Sequence, residues 1–84
     1  MSKAISVELD ERLESYIDRV ERERGVPAER ACAELMLAGY AEIVRHLHQQ
    51  YITGEITFRQ MAKKMGLEYR QLYALLEDLQ LPTA

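Results

Sequence analysis

The sequence predicts a mainly α-helical chain with one N-terminal β-strand, and three patterns lead to that fold class. Apolar residues alternate over residues 4–9, recur at helical spacing over 13–20 and 31–51, and line two short helical segments within 56–79. Alternation with period two is typical of a half-buried strand, and spacing near 3.6 is typical of an amphipathic helix.

The N-terminal strand is predicted from the segment KAISVELDERL, whose apolar residues all fall on one side. No second strand pattern follows, and a lone strand leaves its backbone groups unpaired. We therefore expect two copies of the chain to pair their strands antiparallel across a twofold axis. The residues expected to hold this homodimer together are Ile5, Val7, Leu9, Leu35 and Met36.

Two helices are predicted next, with stops at glycines. Asp10 is a suitable N-cap for the first helix, and Gly25 a suitable C-terminal stop. Pro27 suits the first turn of the second helix, which Gly54 ends. Gly39 lies midway, so the pattern leaves open whether residues 27–52 form one helix or two. We assign residues 1–52 to dimerisation and residues 53–84 to a separate part.

The last part reads as two helices around a turn. Thr57 and Gln60 form a capping box, and Gly66 is placed where a helix ends in a left-handed conformation. Ala62 supplies a small residue for a close helix crossing, and Leu72 with Leu75 supplies an apolar inner face. This spacing predicts a helix-turn-helix, with a generic helical hairpin as the alternative.

Charge distribution favours this last part as the nucleic-acid contact. The chain carries 11 basic and 14 acidic residues, a net charge of −3, but its only basic cluster lies between residues 59 and 70. Such side chains neutralise phosphates or donate to bases. The predicted contacts with double-stranded DNA are Thr57, Arg59, Lys63, Lys64, Tyr69, Arg70, Tyr73 and Ala74. Solvated lysines and packed tyrosines remain the alternative.

Residues 4–44, with ISVELDERL, Gly25 and the Pro27 helix, resemble the ribbon-helix-helix repressors. The resemblance implies a ribbon-helix-helix dimer whose paired strands enter the major groove. The ribbon residues that would then read bases are Lys3, Ala4, Ser6 and Glu8. Glu8 departs from the basic residue usual there, and Pro27 removes an amide donor from the anion site. We therefore expect the ribbon to serve dimerisation more than DNA reading.

From Tyr40 onward the chain is similar to a short prokaryotic family with the pattern EGxISxxxAAxxxGxSxxxFxxLLxxxGIP. The matches are Gly54 to Thr57, Ala62, Gly66-Leu67, Leu75-Leu76 and Leu81-Pro82. Some members of that family resemble antitoxins of toxin–antitoxin pairs. The resemblance implies operator binding combined with masking of a cognate toxin protein.

Other functional classes find little support in the sequence. One cysteine, Cys32, allows no internal disulfide and no cysteine metal site, and no run is apolar and long enough to span a membrane. His46 and His48, two residues apart on a helix, point to different sides. We expect a cytoplasmic protein that is not an enzyme and has no metal or cofactor.

The function predicted from these patterns is a homodimeric DNA-binding transcription regulator of antitoxin type, with a tetramer as the alternative assembly. It would repress its own gene and neutralise a toxin. The alternative is an adaptor or toxin-masking module that binds protein without recognising a DNA sequence, which the net charge and the carboxylates of Glu8 and Glu68 favour.

Overall fold

Four helices account for the regular structure of residues 3–83, the part of the chain that the computed structural model describes. They are α1 (Glu11–Arg24), α2 (Ala28–Ile52), α3 (Phe58–Met65) and α4 (Tyr69–Asp78). The chain divides into two compact units, one up to Met36 and one from Leu37 onward. Helix α2 contributes residues to both, and each unit is described by itself.

The predicted N-terminal strand is wrong, and with it the ribbon-helix-helix fold class. Residues 3–10 are in no strand or helix, and no strand occurs anywhere in residues 3–83. The alternating pattern places apolar residues on one side of an extended segment, where they could be buried. A strand also needs a second strand that pairs with its backbone N–H and C=O groups. The described part of the chain supplies none, and Ile5 and Val7 are exposed.

In the first unit, caps fix both ends of α1, and an ion pair joins α1 to α2. Asp10 accepts a hydrogen bond from the Leu13 amide at 2.9 Å, and Gly25 adopts φ +65° at the end of α1. Arg24 of α1 then contacts Glu34 of α2, with 2.6 Å between the nitrogen and the carboxylate oxygen. The hydrogen bond from Arg24 lowers the pKa of the Glu34 carboxyl. Both side chains are exposed, so this pair adds little stability.

Burial in the first unit is sparse. Among residues 3–36 only Ile17 and Ala31 are buried. The predicted apolar stripe of α1 is present in the sequence, but Leu13 and Tyr16 remain 40% and 52% exposed. Hydrophobic stabilisation scales with the area removed from water, so these side chains contribute little in the arrangement described.

The second unit has a continuous hydrophobic core, built from three helices. Its buried apolar side chains are Val44 of α2, Met61 and Ala62 of α3, and Leu72 and Leu76 of α4. Helix α2 is one uninterrupted helix of 25 residues, which settles the question raised by Gly39. A Cβ at Gly39 would meet nothing within 4 Å, so no close crossing at that position requires glycine.

The C-terminal residues fold back onto α2. Gln80 has φ +58°, and the Leu81 amide donates to the Leu76 carbonyl oxygen at 2.8 Å. The His48 ring then bonds the Pro82 carbonyl oxygen at 2.5 Å. The Tyr51 hydroxyl donates to the Thr83 carbonyl oxygen. These bonds fix the chain after α4 against α2, within the second unit.

Within residues 3–83, no helix combines the length and the apolar character needed to cross a bilayer.

Candidate nucleic-acid interface

The helix pair α3–α4 begins with a complete capping box. The Thr57 hydroxyl accepts from the Gln60 amide at 3.1 Å, and the Gln60 side chain accepts from the Thr57 amide at 2.8 Å. This pair satisfies two amides that would otherwise lack a partner at the start of α3. The predicted cap is confirmed, and it fixes where the side chains of α3 point.

The turn between the helices depends on Gly66, as predicted. Gly66 has φ +69°, a left-handed conformation in which a Cβ is strained. The Leu67 amide donates to the Ala62 carbonyl oxygen at 3.0 Å, and this bond ends α3. At the start of α4, the Gln71 side chain accepts from the Glu68 amide at 2.9 Å. The two helices are therefore joined by a short turn with satisfied backbone groups.

An aromatic cluster supports the outer side of the pair, and its centre is Phe58. The Phe58 ring lies 4.6 Å from the Tyr73 ring centroid, and 5.5 Å from the centroids of both Tyr69 and Tyr51. Edge contacts of this kind orient rings as well as bury area. The role of Phe58 in this cluster was not predicted from the sequence. The one signal in the sequence was that Phe58 is the only phenylalanine in the chain and directly follows the cap residue Thr57.

The predicted contact residues of α4 are all on the surface. Tyr69 and Tyr73 are 47% and 52% exposed, and Arg70 and Ala74 are also exposed. The Arg70 guanidinium lies 3.5 Å from the Glu68 carboxylate, and both side chains are largely in solvent. A pair that is so exposed is weak, so Arg70 can leave Glu68 for another acceptor at small cost.

The basic residues of α3 lie on the exposed side of that helix. Lys63 and Lys64 occupy its last turn and are exposed. Arg59, in its first turn, donates from Nε to the Tyr69 hydroxyl oxygen at 3.2 Å, and so links α3 to α4. This hydrogen bond raises the pKa of the Arg59 guanidinium further above its ordinary value. Arg59 therefore stays cationic. The N–H groups of its two terminal nitrogens are not used by this hydrogen bond.

The four residues predicted for the ribbon lie in the N-terminal segment of the first unit. Lys3, Ala4, Ser6 and Glu8 are exposed in the segment without strand or helix, so the ribbon that would present them to a groove is absent from the described chain. Of the predicted dimerisation residues, Ile5, Val7 and Met36 are exposed, and Leu9 and Leu35 are half-buried.

The two histidines of α2 have different surroundings, as their spacing predicted. His46 is exposed, whereas His48 is buried and its ring is hydrogen-bonded to the Pro82 carbonyl oxygen. Its partner lies 34 residues away, so local periodicity gave no sign of it. Within residues 3–83, no group of three or more potential metal-binding side chains comes together.

No family model, no curated protein and no solved structure matches this chain.

Proposed function

We propose that this protein is a homodimeric transcription regulator that binds double-stranded DNA through α3 and α4. The proposal rests on the side chains that α3 and α4 expose. Arg59, Lys63, Arg70 and the two tyrosines of α4 are all exposed, on a helix pair whose buried side chains belong to a packed core. We call this set of exposed side chains the outer face.

The dimensions of α4 suit a major groove. Its ten residues make a rod about 15 Å long and, with side chains, about 10–12 Å wide. The major groove of B-DNA is about 12 Å wide. Residues 69–74, in the first half of α4, would then meet base edges, and Arg70 is the side chain that can donate two hydrogen bonds to a guanine.

The remaining cations suit the DNA backbone. Lys63 and Lys64 end in ammonium groups that attract phosphate without reading sequence. Their contribution should fall as salt rises, because binding releases counterions from the DNA. The negative net charge of −3 does not oppose this division, since the whole acidic excess lies in residues 1–54 and residues 55–84 carry four basic and four acidic residues.

A gel-shift assay on DNA upstream of the protein's own gene tests the proposal. We expect a specific shift by the wild-type protein, and a strong loss with the double variant Lys63→Ala/Arg70→Ala. The matched control is Arg12→Ala/Arg45→Ala, which removes the same charge from α1 and α2 and should bind nearly as the wild type does. Equal binding by both double variants would refute the assignment to the outer face.

The homodimer is part of the same proposal, because regulators of this kind bind two half-sites. The exposed apolar side chains Ile5, Val7 and Met36 support it, since a second copy would cover them. Sedimentation should show a dimer at micromolar concentration. Val7→Asp should shift the monomer–dimer equilibrium toward monomer. Ser6→Asp, which places the same charge on the neighbouring exposed residue, should shift that equilibrium less. A folded wild-type monomer would contradict this part.

The cytoplasm is the compartment we propose, because a protein that represses its own gene must reach the DNA. Neutralisation of a toxin is the second role we propose, and it is supported only by the resemblance of residues 40–82 to antitoxin-like proteins. Its test is co-expression with the product of the neighbouring gene. Rescue of growth and formation of a stable complex would support it.

One observation favours a second candidate function, that of an adaptor that binds protein. Residues 3–36 leave five large apolar side chains exposed: Ile5, Val7, Leu13, Tyr16 and Met36. Exposed apolar groups of this number are typical of a protein-binding surface. Co-purification with a neighbouring gene product, with no DNA bound at low salt, would favour the adaptor over the regulator.

A further inference from the structure

Arg59 and Tyr69 form a connected pair of donors at the rim of the outer face. Arg59 comes from the first turn of α3 and Tyr69 is the first residue of α4, so ten residues of chain separate them. Nevertheless, the Arg59 Nε donates to the Tyr69 hydroxyl oxygen at 3.2 Å, and both side chains are exposed. The contact therefore depends on the helix pair and is not a local interaction.

The hydrogen-bonding capacity that this pair leaves unused consists mainly of donors. The bond uses only Nε of Arg59, which leaves the four N–H bonds of the two terminal nitrogens. The Tyr69 oxygen already accepts from Arg59, so its own O–H is free to donate elsewhere. Among residues 3–83, no carboxylate lies within ion-pair distance of Arg59, whereas Arg70 has Glu68.

A ring contact between Phe58 and Tyr69 also orients this pair. Phe58 precedes Arg59 in the sequence, and its ring makes an edge contact with the Tyr69 ring at 5.5 Å. Tyr69 is thus fixed by a ring contact at its base and by a guanidinium at its hydroxyl. Prior orientation of donors reduces the entropy lost when they bind a ligand.

We infer that Arg59 and Tyr69 act as one unit that binds a single phosphate of the DNA backbone. Arg59 donates from its terminal nitrogens to that phosphate, and Tyr69 donates its O–H to the same group. A phosphate accepts several hydrogen bonds, and charge-assisted bonds from arginine are among the strongest. The inference rests on the proposed function and adds to it a division of labour, with this pair positioning α4 and Arg70 reading bases.

A double-mutant cycle with Tyr69→Phe and Arg59→Gln tests whether the two act together. Binding is measured by fluorescence anisotropy on the upstream duplex and on a scrambled duplex, over a series of salt concentrations. We expect Arg59→Gln to weaken binding about tenfold on both duplexes and to reduce the salt slope by about 1. Tyr69→Phe should weaken both about fivefold, and the double variant little more than Arg59→Gln alone.

Tyr73→Phe is the matched control for this cycle. It removes a hydroxyl from the same side of α4, also above Phe58, but its hydroxyl has no hydrogen bond to Arg59 among the contacts described. Any loss it causes should multiply with that of Arg59→Gln. Circular dichroism of each variant establishes that the helices are retained, which the exposure of these side chains leads us to expect.

A scan with single neutral methylphosphonates identifies the phosphate itself. The wild type should lose affinity at one particular position where both Arg59→Gln and Tyr69→Phe no longer respond. Two results would refute the joint binding of one phosphate by Arg59 and Tyr69 without refuting DNA binding. One is that the affinity losses of the two single variants multiply in the double variant. The other is that the two variants fail to respond at two different methylphosphonate positions. Absence of wild-type binding to either duplex at low salt would instead refute the proposed function, and the pair with it.

Discussion

The two units of this chain differ in how much of their apolar surface they bury. Residues from Leu37 onward enclose five buried apolar side chains contributed by three helices, four of them fully buried, whereas residues 3–36 bury only Ile17 and Ala31. The apolar content of the two sequences is less different than their burial. The comparison teaches that a helix-forming pattern is not sufficient for a core, which requires a second apolar face of matching size.

The largest difference between the units should appear when the same leucine side chain is shortened in each. Leu72→Ala removes a fully buried side chain and should destabilise its unit by about 2–5 kcal/mol, because it leaves a cavity. Leu13→Ala removes a side chain that is 40% exposed and should cost less than about 1 kcal/mol. Urea denaturation followed by circular dichroism measures both. Equal losses would show that the first unit has a core comparable to that of the second.

Two glycines of the second unit provide the next test, because alanine should act on them in opposite directions. A Cβ would meet nothing within 4 Å at either position, so packing does not distinguish them. Gly66 has φ +69°, and alanine there should cost about 1–2 kcal/mol. Gly39 lies within α2, and alanine there should stabilise by about 0.5–1 kcal/mol. Thermal melts of the two variants measure the difference, and a gain at Gly66 would contradict the left-handed turn.

A smaller effect is expected when the carboxylate beside the outer face is removed. Glu68→Gln frees Arg70 from its 3.5 Å partner and removes a charge that phosphates repel. DNA affinity should rise about two- to fivefold, and the gain should shrink as salt is added. Glu42→Gln is the matched control, since it removes the same charge from α2. An equal gain in both variants would indicate an effect of net charge alone.

The smallest effect concerns the ion pair of the first unit. Because Arg24 lowers the pKa of Glu34, the pair stabilises the folded form above the ordinary pKa of glutamate. That contribution is lost as the pH falls through the lowered value. An NMR titration of the Glu34 carboxyl should show this pKa rise with Arg24→Gln. Arg30→Gln, which removes a partner at 3.8 Å, should raise it less.

Local signals in the sequence predicted the local structure well. The caps at Asp10 and Thr57 and the stops at Gly25 and Gly66 were all identified, because each depends on residues within one turn. On the inner face of α3–α4, Ala62 and Leu72 are buried as helical spacing predicted, whereas Leu75 is only half-buried and Leu76, which was not assigned to that face, is fully buried. The four outer residues of α4 were also placed correctly on the surface.

Features that depend on distant partners were missed. The strand at residues 4–9 needed a pairing partner that the described chain does not contain, so periodicity alone misled. Phe58 contacts rings on α2 and α4, and His48 bonds a carbonyl 34 residues away. The bond between Arg59 and Tyr69 likewise joins two helices. No window of one or two turns contains both members of these contacts.

Amide chemical shifts recorded during titration with the upstream duplex test the central claim most directly, because they report on both units at once. We expect the largest changes within residues 57–76, at the amides of Arg59, Lys63, Tyr69, Arg70 and Tyr73, with smaller changes in residues 3–36. A scrambled duplex should give weaker and less localised changes. Changes centred on residues 3–10, or none at low salt, would contradict the account.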